Sequence, residues 1–296
     1  MKHPQFSLRH LPRLARRALV CLTCLLAGAA AQPAAAMEFS YSNLNPFSGE
    51  TYAAENLLLK GSIVNGDYAR LLDFLRRDPE RYWKSLGIVI ASPGGDVQEA
   101  LKIARFVKGT YVQVRVGKAT GKCVSACFFI VAAATQREIS LEHLGIHRPY
   151  VYAERGATMS AAEMESFQKR VFKEARTYLQ DLDVPTNLID KMFQQASTDV
   201  HWLSKREVEE QLGRRPPYYE QFLISRCNFS KALERQYFAS PDKAEREAIV
   251  GKLIAAERCG KELSLPDARA YLSAELKKTA SQTPARPAPV DREGGR

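Results

Sequence analysis

Apolar and polar residues alternate along this chain in more than one rhythm, and the rhythm changes where the architecture is expected to change. Residues 57–64 (Leu-Leu-Leu-Lys-Gly-Ser-Ile-Val) form a short apolar run and predict a strand. Gly66 and Asp67 then open a helix that places Tyr68, Leu71, Leu72 and Leu75 on one face. Leu86 to Ala91 predicts another strand, stopped by Ser92-Pro93-Gly94-Gly95. Asp96 suits a helix N-cap, because its carboxylate can accept a free N–H of the first turn. The helix it would open carries Val97, Ala100, Leu101, Ala104 and Val107 as one stripe. Tyr111 to Val116 alternates and predicts a strand. Cys123 to Ala134 reads as a helix apolar almost all round, hence buried. Arg137 to Ile139 and Leu144 to His147 are strand-like. This alternation of strands and helices implies a layered, largely parallel α/β core.

Beyond Pro149 the period is helical throughout. Ser160 to Leu182 keeps Met164, Phe167, Val171, Phe172, Ala175, Tyr178, Leu179 and Leu182 at helical spacing. A second helix is expected from about Pro185 to Gln195. A third spans Ser204 to Leu212, with Ser204 as N-cap and Glu207 completing a capping box. Charged helices follow from about Pro217 to Lys278. No internal sequence repeat is visible.

The two ends read differently. Residues 1–36 combine Lys2, Arg9, Arg13, Arg16 and Arg17 with no acid, an apolar run from Ala18 to Ala31, and a small-residue stretch Ala34-Ala35-Ala36. This is the layout of a secretory signal peptide, and the apolar run is short for a membrane span. An uncleaved anchor is the competing reading. Export to the periplasm or the exterior is therefore expected. Loss of the leader would take the formal charge from +10 to +5. No basic cluster interleaves with aromatic residues, so nucleic acid is not an expected partner. Residues 279–296 are rich in Pro and Ala and are expected to be disordered. The expected organisation is a leader (1–36), an α/β domain (37–213), a helical extension (214–278) and a tail (279–296).

Four cysteines lie beyond the leader: Cys123, Cys127, Cys227 and Cys259. An even count in an oxidising compartment suggests disulfides, without fixing their connectivity. Cys227 and Cys259 both fall in the C-terminal helices. Cys123 and Cys127 flank Ser125, and a bridge between them would pin that turn. The spacing of Cys123 and Cys127 from His143 and His147 also approaches a zinc-finger pattern. The apolar segment between them, Phe128 to Ala134, reads as a buried element instead, and no metal is expected.

Ser125 and His147 are the candidate chemistry. Ser125 sits in a small-residue turn, Gly121 to Ala126, running into an apolar segment. His147 ends a strand-like stretch. A serine hydroxyl is a weak nucleophile near neutral pH and needs a base beside it and N–H donors for the developing oxyanion. Lys122 and Cys127 are alternative reactive groups, and His143 and His201 are the other histidines beyond the leader.

The ordered series Ser92-Pro93-Gly94-Gly95, Ser125-Ala126, His147-Arg148-Pro149, a long helix, then Asp199 before Trp202-Leu203-Ser204 resembles the proteolytic subunit of Clp protease and its relatives in the crotonase-like superfamily. The resemblance covers about residues 57–213 and lies with an exported branch of that family. It implies a ClpP/crotonase-like spiral core of parallel strands and helices, with residues 160–182 as a projecting handle helix and a homo-oligomeric assembly. It implies Ser125 as nucleophile, His147 as base, Asp199 as the orienting acid, and backbone N–H groups of Gly94, Gly95 and Ala126 around the oxyanion. Aligning Leu203-Ser204 with the family pair places Val200 under the family aspartate, one residue from Asp199. Asp181 and Asp183 are the fallback acids. The expected function is an exported serine peptidase or hydrolase acting on peptides or proteins, with no cofactor. The chain carries no P-loop, so no ATP-driven partner is expected. An inactive, oligomeric peptide- or envelope-protein-binding relative is the second reading, and a coenzyme-A-using crotonase-like enzyme the third.

Overall fold

A computed structural model describes residues 36–150 and 159–280. The leader, the tail from 281 and the segment 151–158 lie outside the described residues. The larger sheet contains β1 (Glu38–Leu44), β2 (Thr51–Lys60), β3 (Ile88–Ala91), β4 (Gln113–Val116) and β6 (Gln136–Ile139), in that spatial order. β1 pairs antiparallel with β2, and every other pair is parallel. All four residues of β3 are buried, as an unbroken apolar run in a central parallel strand requires. The smaller sheet contains β5 (Cys123–Val124), β7 (Leu144–Ile146) and β8 (His201–Trp202). There β5 runs parallel to β7, and β7 antiparallel to β8.

Isolated parallel bridges extend the smaller sheet: Ile63 pairs with Gly95, and Ser92 with Cys123. The chain therefore repeats one move. It leaves a strand of the large sheet, touches the small one, and enters a helix. β2 leads to Ile63 and α1 (Asp67–Arg77). β3 leads to Ser92–Gly95 and, after the short α2 (Pro79–Lys84) that precedes it, to α3 (Val97–Gly109). β4 leads to β5 and α4 (Cys127–Ala132). This is the layered spiral of parallel strands and helices that the hydrophobic pattern and the resemblance imply. The repetition lives in the backbone, with no sequence repeat beneath it.

Local signals account for the helices. Asp96 accepts the Glu99 N–H at 2.7 Å and starts α3. Ser160 and Glu163 form a reciprocal capping box at the start of α5 (Ala161–Gln180). α6 (Thr186–Gln194) follows. The element after Ser204 has the expected capping contacts but winds as a π-helical turn over Glu207–Leu212. The long helix expected from Cys123 is shorter in fact. Cys123 and Val124 pair as a strand, Ser125 turns the chain, and α4 begins at Cys127. β1 and the first half of β2 were not expected.

The C-terminal region forms α7 (Pro217–Cys227), α8 (Lys231–Ala239) and α9 (Lys243–Ala280). A Cys227–Cys259 disulfide ties α7 to α9 beside a small core of Tyr219, Leu223, Phe229 and Ala256. α9 then returns to the main core. Leu272 is buried there, Tyr271 packs against Gly109, and the Tyr68 hydroxyl donates to Glu275 at 2.7 Å.

Candidate active site

Ser125 follows β5 with φ at 59°, in the left-handed region. A residue with a Cβ resists that conformation by roughly 1 kcal/mol or more, so the surroundings must hold it. Its N–H donates to the Gly145 carbonyl at 3.1 Å, and its own carbonyl accepts from Phe128 at 2.9 Å. A Cys123–Cys127 disulfide closes a small loop around it. Both cysteines are therefore oxidised, which removes them as thiolate metal ligands and removes Cys127 as a nucleophile.

Gly94 lies directly against this turn. A Cβ on it would stand 2.6 Å from Ser125 Cβ and 2.7 Å from the Val124 carbonyl oxygen, and its φ is +93°. Only glycine fits there. Gly95 has the same restriction, because a Cβ would collide with the Ile63 carbonyl. The Gly94 N–H donates to the Ser92 hydroxyl at 3.1 Å. The N–H groups of Gly95 and Ala126 have no hydrogen-bond partner among the described residues.

β7 delivers His147. Because β5 and β7 pair in parallel, with Val124 beside Gly145, Ser125 and His147 follow the same ends of neighbouring strands, His147 one residue beyond the position that faces Ser125. Both are buried, and no hydrogen bond joins their side chains among the described contacts. His147 Nδ1 lies 3.0 Å from the Arg148 carbonyl oxygen. A carbonyl only accepts, so this bond assigns the proton to Nδ1 and leaves the Nε2 lone pair free. The Tyr150 ring lies parallel to the imidazole, with centroids 5.9 Å apart.

Asp199 makes no hydrogen bond with His147 among the described contacts. It is exposed, in a turn where its N–H donates to Ala196, and it borders a shallow open cavity of about 560 Å³ with Asn187, Asp190 and Lys191. Pairing of Ile146 with His201 puts Val200, one step on, opposite His147. Val200 Cγ1 and the Trp202 ring both lie over Gly145, on the His147 side of the strand. A carboxylate at position 200 would face the imidazole, and this chain has valine there. Asp181 and Asp183 close α5, and neither contacts His147 among the described residues.

A profile of the Clp protease family matches residues 54–211, a little over half of the chain. The chain belongs to the Clp protease family. The matched span runs from β2 into the π-helical turn and contains every candidate site residue. Two solved structures of the 1510-N membrane-bound stomatin-specific protease are similar to it. A serine-to-alanine mutant is 13% identical with a TM-score of 0.37, over 58% of this chain and 83% of that one. A lysine-to-alanine mutant in complex with a substrate peptide is 12% identical with a TM-score of 0.35, over 52% and 70%. No curated protein matches.

Within this Clp protease family member, the remaining sequence candidates have other partners. Lys122 is exposed, with Nζ 4.2 Å from the centre of the Trp202 ring. His143 Nδ1 bonds the Leu141 carbonyl at 2.7 Å. His201 Nε2 lies 3.0 Å from Glu207. No group of metal-ligating side chains is present among the described residues.

Two buried charged groups hold more partners than the sequence suggested. Burial alone would raise the Glu207 carboxyl. Hydrogen bonds from Lys191, from the Ser204 N–H and hydroxyl, and from His201 overcome it and hold the group at about 2. Arg137 is buried with no carboxylate partner among the described residues. Burial pushes its guanidinium down to about 10, and it donates to carbonyls of Val131, Ala132 and Leu212. It thereby serves the C-terminal ends of α4 and the π-helical turn. Capping-box spacing pointed to the first of these. Nothing in the sequence pointed to the second.

Proposed function

We propose that this chain is an exported serine peptidase in which Ser125 attacks a peptide carbonyl and His147 Nε2 takes the hydroxyl proton. The observation that supports this reading is the parallel pairing of β5 with β7, with a conformationally constrained serine after one strand and a histidine with its proton on Nδ1 after the other. The attack forms an Oγ–carbon bond and places negative charge on the carbonyl oxygen. The N–H groups of Gly95 and Ala126 are the available donors for that oxyanion. The Gly94 N–H joins them only if it leaves the Ser92 hydroxyl. His147 then returns the proton to the leaving amine, and water releases the acyl group by the same route.

The imidazole is oriented here by the Arg148 carbonyl instead of by Asp199. A neutral carbonyl stabilises the imidazolium less than a carboxylate does, so turnover is expected to be slow. Export fits the basic-apolar leader and the two disulfides. Substrates are peptides or unfolded proteins, and the working form is a homo-oligomer.

The test is labelling of the purified protein with a fluorophosphonate probe, with Ser125→Ala alongside. Labelling of the wild type that the substitution abolishes is expected. A folded wild type that takes up no probe sinks the catalytic reading. It would favour a non-catalytic peptide-binding protein, which the missing Ser125–His147 hydrogen bond also supports.

A further inference from the structure

One face of the small sheet is buried in β5 and β7, and the other carries at its rim an exposed cation with no acidic partner among the described residues. Residues in register on neighbouring strands point the same way, so Val124 and Gly145 share a face. Lys122, two residues before Val124, lies on that face, and so does Trp202, which pairs with Gly145. The opposite face, with Cys123, Leu144 and Ile146, is buried. His147 lies two residues beyond Gly145 on the same side as Lys122 and Trp202, and both Gly145 and His147 are buried.

Gly145 creates the space for this arrangement. A Cβ there would stand 3.1 Å from the indole ring. With none present, Lys122 reaches across β7 and rests its ammonium 4.2 Å from the centre of the Trp202 ring. The ring holds the cation by its π-face, which leaves ammonium N–H donors directed away from it. Lys122 forms no ion pair among the described residues. Three residues of strand separate it from Ser125, about 10 Å. An extended peptide covers the same distance in three residues.

We propose that Lys122 and Trp202 form a substrate subsite that selects a carboxylate side chain, about three residues from the carbonyl that Ser125 attacks. This inference rests on the peptide-binding half of the function proposed above. It adds the substrate class: acidic peptide segments that run past the exposed Lys122 ammonium on the Trp202 ring. Val124 forms the floor between the subsite and Ser125. A lysine or arginine in the same substrate position is rejected by like charge.

Binding is measured on Ser125→Ala protein by fluorescence anisotropy, with dye-labelled octapeptides that differ only by Glu, Gln or Lys at one scanned position. At one position, the Glu peptide is expected to bind about 3- to 10-fold more tightly than the Gln peptide, the range of a partly exposed charge-assisted contact. Lys122→Met should erase that preference, and Lys122→Glu should turn it towards the Lys peptide. Equal binding of the Glu and Gln peptides at every position overturns the proposal. So does a preference that survives Lys122→Met, or the failure of every peptide to bind. Catalysis is scored separately by the probe. An unlabelled wild type with the Lys122-dependent preference intact rejects the peptidase reading and leaves the carboxylate subsite standing.

Discussion

Replacing Gly94 by alanine tests the geometry of the site most directly. Two penalties should add. The first is conformational: at φ +93° an alanine loses roughly 1–2 kcal/mol against glycine. The second is steric. The new methyl would sit 2.6 Å from Ser125 Cβ, 2.7 Å from the Val124 carbonyl oxygen and 3.0 Å from Ala126 N. Ordinary contacts are nearer 3.5–4 Å, and two of these three atoms are backbone, so the turn itself must move at a further cost of about 1–3 kcal/mol. Gly49 supplies a control for the first penalty alone. Its φ is +82°, and a Cβ there meets only the Ala119 methyl at an ordinary 3.6 Å. Urea unfolding followed by circular dichroism should therefore show Gly94→Ala less stable than Gly49→Ala by about 1–3 kcal/mol, with similar slopes. Gly94→Ala should also lose probe labelling, and Gly49→Ala should keep it. If the two variants unfold at the same urea concentration and both label, the close approach of Gly94 to Ser125 is wrong.

Three further outcomes are expected. The folded-state depression of the Glu207 carboxyl to about 2 contributes stability above its ordinary value near 4.5, and that contribution is lost as pH falls from there towards 2. Glu207→Gln should accordingly be about 2 kcal/mol less stable than wild type at pH 7, with the gap cut to roughly half by pH 3. An unchanged gap at the two pH values contradicts this account. Replacing Cys227 and Cys259 by serine opens a separation of 32 residues and should lower stability by about 3–4 kcal/mol while probe labelling persists. Replacing Cys123 and Cys127 should cost only about 2 kcal/mol yet remove labelling, because their separation of 4 frames Ser125. Finally, Asp199→Asn should leave the labelling rate within about threefold, and Val200→Asp should raise it by placing a carboxylate on the face of His147. A large loss in Asp199→Asn would restore that residue to the site.

Much of the fold was legible as pattern. The helices at 67–77, 97–109, 161–180 and 186–194 all stand where apolar stripes and caps predicted them, within a few residues. Such signals are local: a cap or a helical face is decided by residues within a few positions of each other. The start of α4 was misplaced for the same reason. Cys123 and Val124 are as apolar as the helix that follows, and only their pairing with β7 and the left-handed Ser125 separate strand from helix. β1 was missed although Phe39 and Tyr41 alternate with polar residues, because the alternating run spans only about five residues on the large sheet's edge.

The layered α/β class, the Ser-Pro-Gly-Gly turn, and the serine and histidine that the Clp family resemblance singles out all follow from residue type and spacing. The rest depended on how the strands pair. Strand register set Val200 opposite His147 and sent Asp199 out to an exposed turn. Backbone direction gave the imidazole a carbonyl for a partner. The absence of a side chain at Gly145 let Lys122 reach Trp202. One residue of register reverses the face of every side chain in a strand, and no local pattern records which neighbour the strand will meet.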